Sequence, residues 1–231
     1  AWFLTVPGRI LRADQGPPHT LGAARYRDVF TDRRFWALLA MTIAINIAWH
    51  TYRAWLPKYF QEKRGFSEEA MTGFMTAYYL TADIGSWTTG LLTLVLIRRG
   101  MPGHTARFLL LTMCAGLLTV SFVVPFAPTG LALTASVLVF AFASLGLFPT
   151  YFALSQELSA THQGKVSGTL GAAAHLFLAL VVYPIEGWVI QHTGSYDGVL
   201  AVAGLFPLLA MGGMLWLWPP RREPRPESAS P

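Results

Sequence analysis

Cysteine is almost missing: the chain of 231 residues has one, Cys114, set in an apolar run. A single thiol excludes an intrachain disulfide framework and a cysteine-based metal site. Charge is scarce as well. Asp, Glu, Lys and Arg make up 13% of the residues, where soluble domains carry about 25%. Acids are the rarer sign, 12 against 17 bases, for a net charge of +5. In a chain this apolar, basic residues report membrane orientation before they report nucleic acid. No nucleic-acid partner, metal or cofactor is expected. Long polar loops are lacking too, which argues against an external domain and against a scaffold role.

What is abundant is apolar sequence, 53% of the residues. A bilayer core takes roughly 20 apolar residues per helix. Six segments qualify, near 35–58, 69–97, 106–127, 130–154, 165–190 and 197–218. The breaks between them carry turn formers: Gly65 with Ser67 as a cap, "RRGMPGH", "PFAPTG", "SATHQGK" and "HTGSYDG". The fold class expected is an all-α membrane protein of six transmembrane helices over 35–218. Residues 1–34 read as the end of a preceding helix plus a basic, Pro/Gly-rich cytoplasmic linker. Residues 219–231 read as a disordered cytoplasmic tail. The opening "AWFLTVP" makes a piece of a longer protein the expectation. With six spans both ends lie on one side; that side holds 13 Lys and Arg, the other 3, and Arg53 falls inside a span. Both termini are therefore expected in the cytoplasm.

Polar and helix-breaking residues interrupt these spans at depth. On a 3.6-residue repeat Thr42, Asn46, Trp49, His50, Arg53 and Pro57 share one helix face. Asn46, Trp49, His50 and Arg53 together suit an anionic, hydroxylated ligand. The guanidinium is a planar fork for a carboxylate, the amide and imidazole hydrogen-bond, and the indole offers a flat apolar surface. Arg53 has a second reading, as a side chain snorkelling to the headgroups, and His50 as a helix–helix hydrogen bond. Trp55, with Tyr52 and Tyr59, reads as an interfacial belt residue.

Asp83 is the one acid near the middle of a span, a proton or substrate site or a structural ion pair with His50 or Arg53. Tyr79 precedes it by one turn. His175 lies near the midplane of its span. Glu186 reads as a lip residue. Gly164, Gly168 and Gly171, with Ala172, form a small-residue face that lets another helix approach. Pro149, Pro184 and Pro207 permit bends; Pro149 and the three glycines are candidates for gating or packing.

Three stretches resemble the C-terminal half, helices seven to twelve, of a major facilitator superfamily transporter. They are Ala54-Trp55-Leu56-Pro57-Lys58-Tyr59-Phe60; Tyr79-Leu80-Thr81-Ala82-Asp83-Ile84-Gly85-Ser86 with Gly90 and Ile97-Arg98-Arg99-Gly100; and Gly164-Lys165-Val166-Ser167-Gly168-Thr169-Leu170-Gly171. The branch most resembled is the anion:cation symporters, which includes hexuronate, galactonate and sialin-like permeases. The resemblance implies a half-bundle of the major facilitator fold in the plasma (inner) membrane. It implies symport of a small organic anion with a proton, by alternating access against an N-terminal six-helix half. Two departures stand out. "LLTLVLIRRG" has no acid before its arginines, and His175 stands where relatives more often carry an aromatic or amide. Two other functions are weighed: a structural or assembly subunit, and a membrane-embedded hydrolase of the rhomboid kind, against which Ser167 sits at a helix entrance with His175 two turns deeper, out of its reach.

Overall fold

Hydrophobic length alone dictates the elements. The computed structural model describes residues 26–158 and 162–218, so most of the linker and the tail lie outside the described residues. Among these, six helices are long and apolar enough to cross a membrane: α1 Arg33–Arg64, α2 Glu68–Arg98, α3 Gly103–Phe122, α4 Leu131–Leu158, α5 Gln163–Thr193 and α6 Asp197–Leu217. Each matches one expected segment.

Local chemistry sets the ends. Asp32 caps α1 by accepting the Arg34 backbone N–H at 2.9 Å. Gly65 ends it in a left-handed conformation, φ 70°, which a side chain would resist. Ser67 then accepts from the Ala70 N–H at 3.2 Å and opens α2, with Glu68 and Glu69 in its first turn. α1 therefore runs through Pro57 and six residues past the expected end at 58. Arg64 ties its last turn to the end of α3, donating to the carbonyls of Val124 and Pro125 at 3.2 and 2.9 Å. At the opposite end of the bundle Glu157 of α4 takes Arg107 and His104 of α3.

α1 is the central helix. Of its most apolar window 67% is buried, against 17% for α2 and 22% for α5, so these two present broad open faces. α1 packs on α4, α5 and α6 and touches α2 only lightly. Tyr52 stacks on Phe140 of α4 with ring centroids 3.6 Å apart. Tyr52 and Tyr59 are fully buried, which corrects their reading as belt residues: they are core.

α2 lies instead against α4, because glycines let the two backbones meet. A Cβ on Gly85 would collide with the Phe142 carbonyl. On the facing helix Gly146 leaves room for Thr89, whose hydroxyl donates to the Gly146 carbonyl at 2.8 Å. α5 is not a uniform helix. A π-helical stretch, Leu178–Val182, separates Gln163–Phe177 from Tyr183–Thr193. The extra residue in such a turn rotates everything beyond it by about 100°.

Candidate functional site

The open side of the bundle is bordered by α1, α2 and α5, and two side-chain groups bridge these helices. On the α2 side Trp49 stacks on Tyr78 at 5.6 Å and meets Tyr79 edge-on at 6.0 Å. Tyr78 is buried beneath, while Tyr79 is 39% exposed. On the α5 side the rings of His50 and His175 meet edge-on at 5.2 Å. His175 bonds the Gly171 carbonyl through Nδ1 at 2.9 Å, leaving its outer nitrogen available. Arg53 is exposed one turn from His50 and within electrostatic reach of it and of Tyr183. Five of the residues chosen from sequence, Trp49, His50, Arg53, Tyr79 and His175, thus come to one face.

The others fall differently. Asn46 is 3% exposed, and its amide donates to the Thr42 carbonyl of its own helix at 2.8 Å. It lies beneath the open face instead of lining it. Asp83 is exposed and forms no ion pair with His50 or Arg53 among the described residues. The expected pairing fails as α2 lies chiefly against α4, and it meets α1 through aromatic contacts, Trp49 with Tyr78 and Tyr79 and Phe60 with Phe74. A Cβ placed on Gly164, Gly168 or Gly171 would meet nothing within 4 Å. Close packing on another helix, the default expectation, is not seen for them among the described residues. Pro149 sits half-buried inside an unbroken α4.

One residue was undervalued. Glu186, read as a lip residue, is buried at 8% exposure. Thr51 donates to its Oε1, and the Trp55 indole N–H to its Oε2 at 2.8 Å. Trp55 is accordingly a bundle residue, not a belt one. A helical wheel at 3.6 residues per turn puts Glu186 on the His175 face, eleven positions on. The π turn Leu178–Val182 lies between them, and His175 is exposed where Glu186 is buried. No sequence signal marked that turn.

Ser167 shares a hydrogen bond with Ser155 at 3.0 Å. His175 is two turns deeper, so no serine–histidine pair forms there.

The geometry presents a cation, two imidazoles and two aromatic rings on an otherwise apolar wall, chemistry suited to a small anion. Comparison with known proteins points the same way. The family model described as Major Facilitator Superfamily matches residues 1–181. The chain is 36% identical over 118 residues to a protein named monocarboxylate transporter 13, from Bos taurus, over 50% of this chain and 26% of that one. It is 26% identical over 218 residues to a protein named probable L-galactonate transporter, from Escherichia coli (strain K12), over 89% of this chain and 46% of that one. The chain spans less than half the length of either relative.

Proposed function

The chain belongs to the major facilitator superfamily, and from that premise we propose that it forms the C-terminal six-helix half of a secondary transporter, not an enzyme. Its substrate is a small organic anion, a sugar acid or similar carboxylate, moved across the plasma (inner) membrane by symport with protons. The observation that carries this reading is the meeting of His50 with His175 beside Arg53 on the open face. Isolated intramembrane cations are costly, and a cluster of potential donors at one place has a use when an anion arrives. The names of the two relatives, one a monocarboxylate and one an L-galactonate carrier, are of the same chemical class.

In this reading Arg53 forks the carboxylate, His50 and His175 bond the anion's hydroxyls, and Trp49 with Tyr79 supplies the flat apolar wall. Asn46 steadies α1 from beneath. Asp83 is the coupling candidate on α2. The open face, with Gly164, Gly168 and Gly171 along its α5 edge, receives the N-terminal half. The two halves rock about the central site and expose it alternately, with Pro149 a point of bending.

The test uses the full-length protein in proteoliposomes, with radiolabelled galactonate and lactate as probes. An inward proton gradient should drive accumulation of at least one anion, and a protonophore should abolish it. Uptake of neither anion, in vesicles whose protein is folded by thermal melting, overturns the reading.

A further inference from the structure

Glu186 is a buried carboxyl that the transport site above does not use. Both its oxygens accept hydrogen bonds, from the Thr51 hydroxyl and the Trp55 indole N–H, and both donors are neutral and belong to α1. Its other side borders a cavity of about 470 Å³ whose remaining lining, including Phe177, Val182, Ile185, Val199 and Phe206, is apolar. The titratable and charged groups nearby are few. Tyr183, one turn back on α5, lies within electrostatic reach of both Glu186 and Arg53. From α1 come His50 and Arg53 on the open face, and Lys58, whose ammonium sits 5.5 Å over the Trp55 ring. α6 brings only apolar residues and glycine to the cavity wall. Among the described residues no cation lies within ion-pair distance of Glu186.

A carboxyl within a span that has neutral donors and no counter-ion has two forms of comparable standing: an anion held by hydrogen bonds, or a neutral acid. It also sits just after the π turn, where α5 is already interrupted between Val182 and Pro184, and such turns cluster at functional sites. We propose that Glu186 is a proton-binding residue of the transporter, a latch that holds the second half of α5 to α1 and loosens when the carboxyl is protonated.

The chemistry is a single proton transfer. A proton from solution adds to Oε1, forming an O–H that donates to the Thr51 oxygen, while Oε2 still accepts from Trp55. Two charge-assisted hydrogen bonds thereby become two ordinary ones, about half as strong. A second tie at the same end does not respond this way. Tyr196 donates to the Glu62 carboxylate at 2.6 Å. Burial, then Glu62 itself, pushes the Tyr196 phenol up to about 12, so it remains a donor at physiological pH.

This inference rests on proton-driven transport for its use but not for its first test. Difference infrared spectroscopy on the purified full-length protein should reveal a carboxylic acid C=O band that grows as pH falls and is missing in Glu186→Gln. An unchanged difference spectrum in that variant overturns the proposal, whatever the substrate proves to be. Glutamine also mimics the neutral acid, accepting from Trp55 and donating to Thr51. In proteoliposomes Glu186→Gln should keep galactonate or lactate counterflow while gradient-driven accumulation falls roughly tenfold. Accumulation at the wild-type level overturns the coupling role. If Glu186→Gln fails to fold, Trp55→Phe, which removes one donor, should shift the pH at which the band appears; an unshifted band counts against the latch. If the wild type carries neither anion, the transport reading falls, and the infrared result still decides the proton site.

Discussion

Arg53 has two uses that leave the guanidinium in the same exposed place. The helix runs 32 residues, and a hydrocarbon core of about 30 Å takes only about 20 of them, so its length alone does not place Arg53 at the boundary. A lysine separates the two uses. It snorkels as well as arginine but offers a point charge where arginine offers a planar fork. Arg53→Lys should raise the KM for galactonate roughly tenfold, about 1.4 kcal/mol, near the worth of one hydrogen bond to a charged group. An unchanged KM would leave snorkelling as the account of Arg53 and move the anion's grip to the two histidines. Arg53, His50 and Trp49 come to one face as their spacing predicts because they sit on one unbroken helix, where spacing converts directly to a face. Asn46 shares their wheel position, yet it is buried. Periodicity gives direction and says nothing of how deeply the neighbours press in.

At the scale of the helices, existence was legible and partnership was not. Hydropathy marks every span, since a segment crossing the bilayer must be apolar along its whole length. Which helix lies against which depends on single small residues far apart in the chain. Gly85 and Gly146 set α2 on α4, while a side chain on any glycine of the conspicuous α5 series would meet nothing within 4 Å among the described residues. The π turn of α5 is equally silent: five residues of Leu, Ala and Val carry no mark, yet they interrupt the helix just before Glu186. Two substitutions separate the kinds of glycine. Gly85→Ala drives a methyl against a carbonyl that belongs to the backbone and cannot rotate away, at a cost of about 1–3 kcal/mol. Gly168→Ala meets open space and gains helix propensity of up to about 1 kcal/mol. In detergent melting, Gly85→Ala should lower Tm and Gly168→Ala should hold or raise it. Loss of stability in Gly168→Ala, if seen in the full-length protein, would mean that the small-residue face is already packed against the N-terminal half.

For the whole molecule, orientation decides from which side a proton reaches Glu186. The residue lies seven positions before the end of α5 at Thr193, about 10 Å along the axis. That is the end shared with Glu62 and Arg64, as the Tyr196 to Glu62 bond requires. The expectation from the basic count, 13 Lys and Arg on one side of the sequence against 3 on the other, is that this end faces outward. The latch would then face the external solution, where a proton-driven importer collects its protons. Within this chain the matter is measurable, because its one cysteine, Cys114, is buried and contributes little background labelling. Gln61 and Gln163 are exposed and uncharged, one at each end of the bundle, so replacing them leaves the charge count alone. In intact cells Gln61→Cys should react with a membrane-impermeant maleimide, and Gln163→Cys only after permeabilisation. The reverse pattern would turn the bundle over and put Glu186 on the cytoplasmic side. Protonation there would accompany export, and the pH dependence of uptake would have to be sought at Asp83 instead.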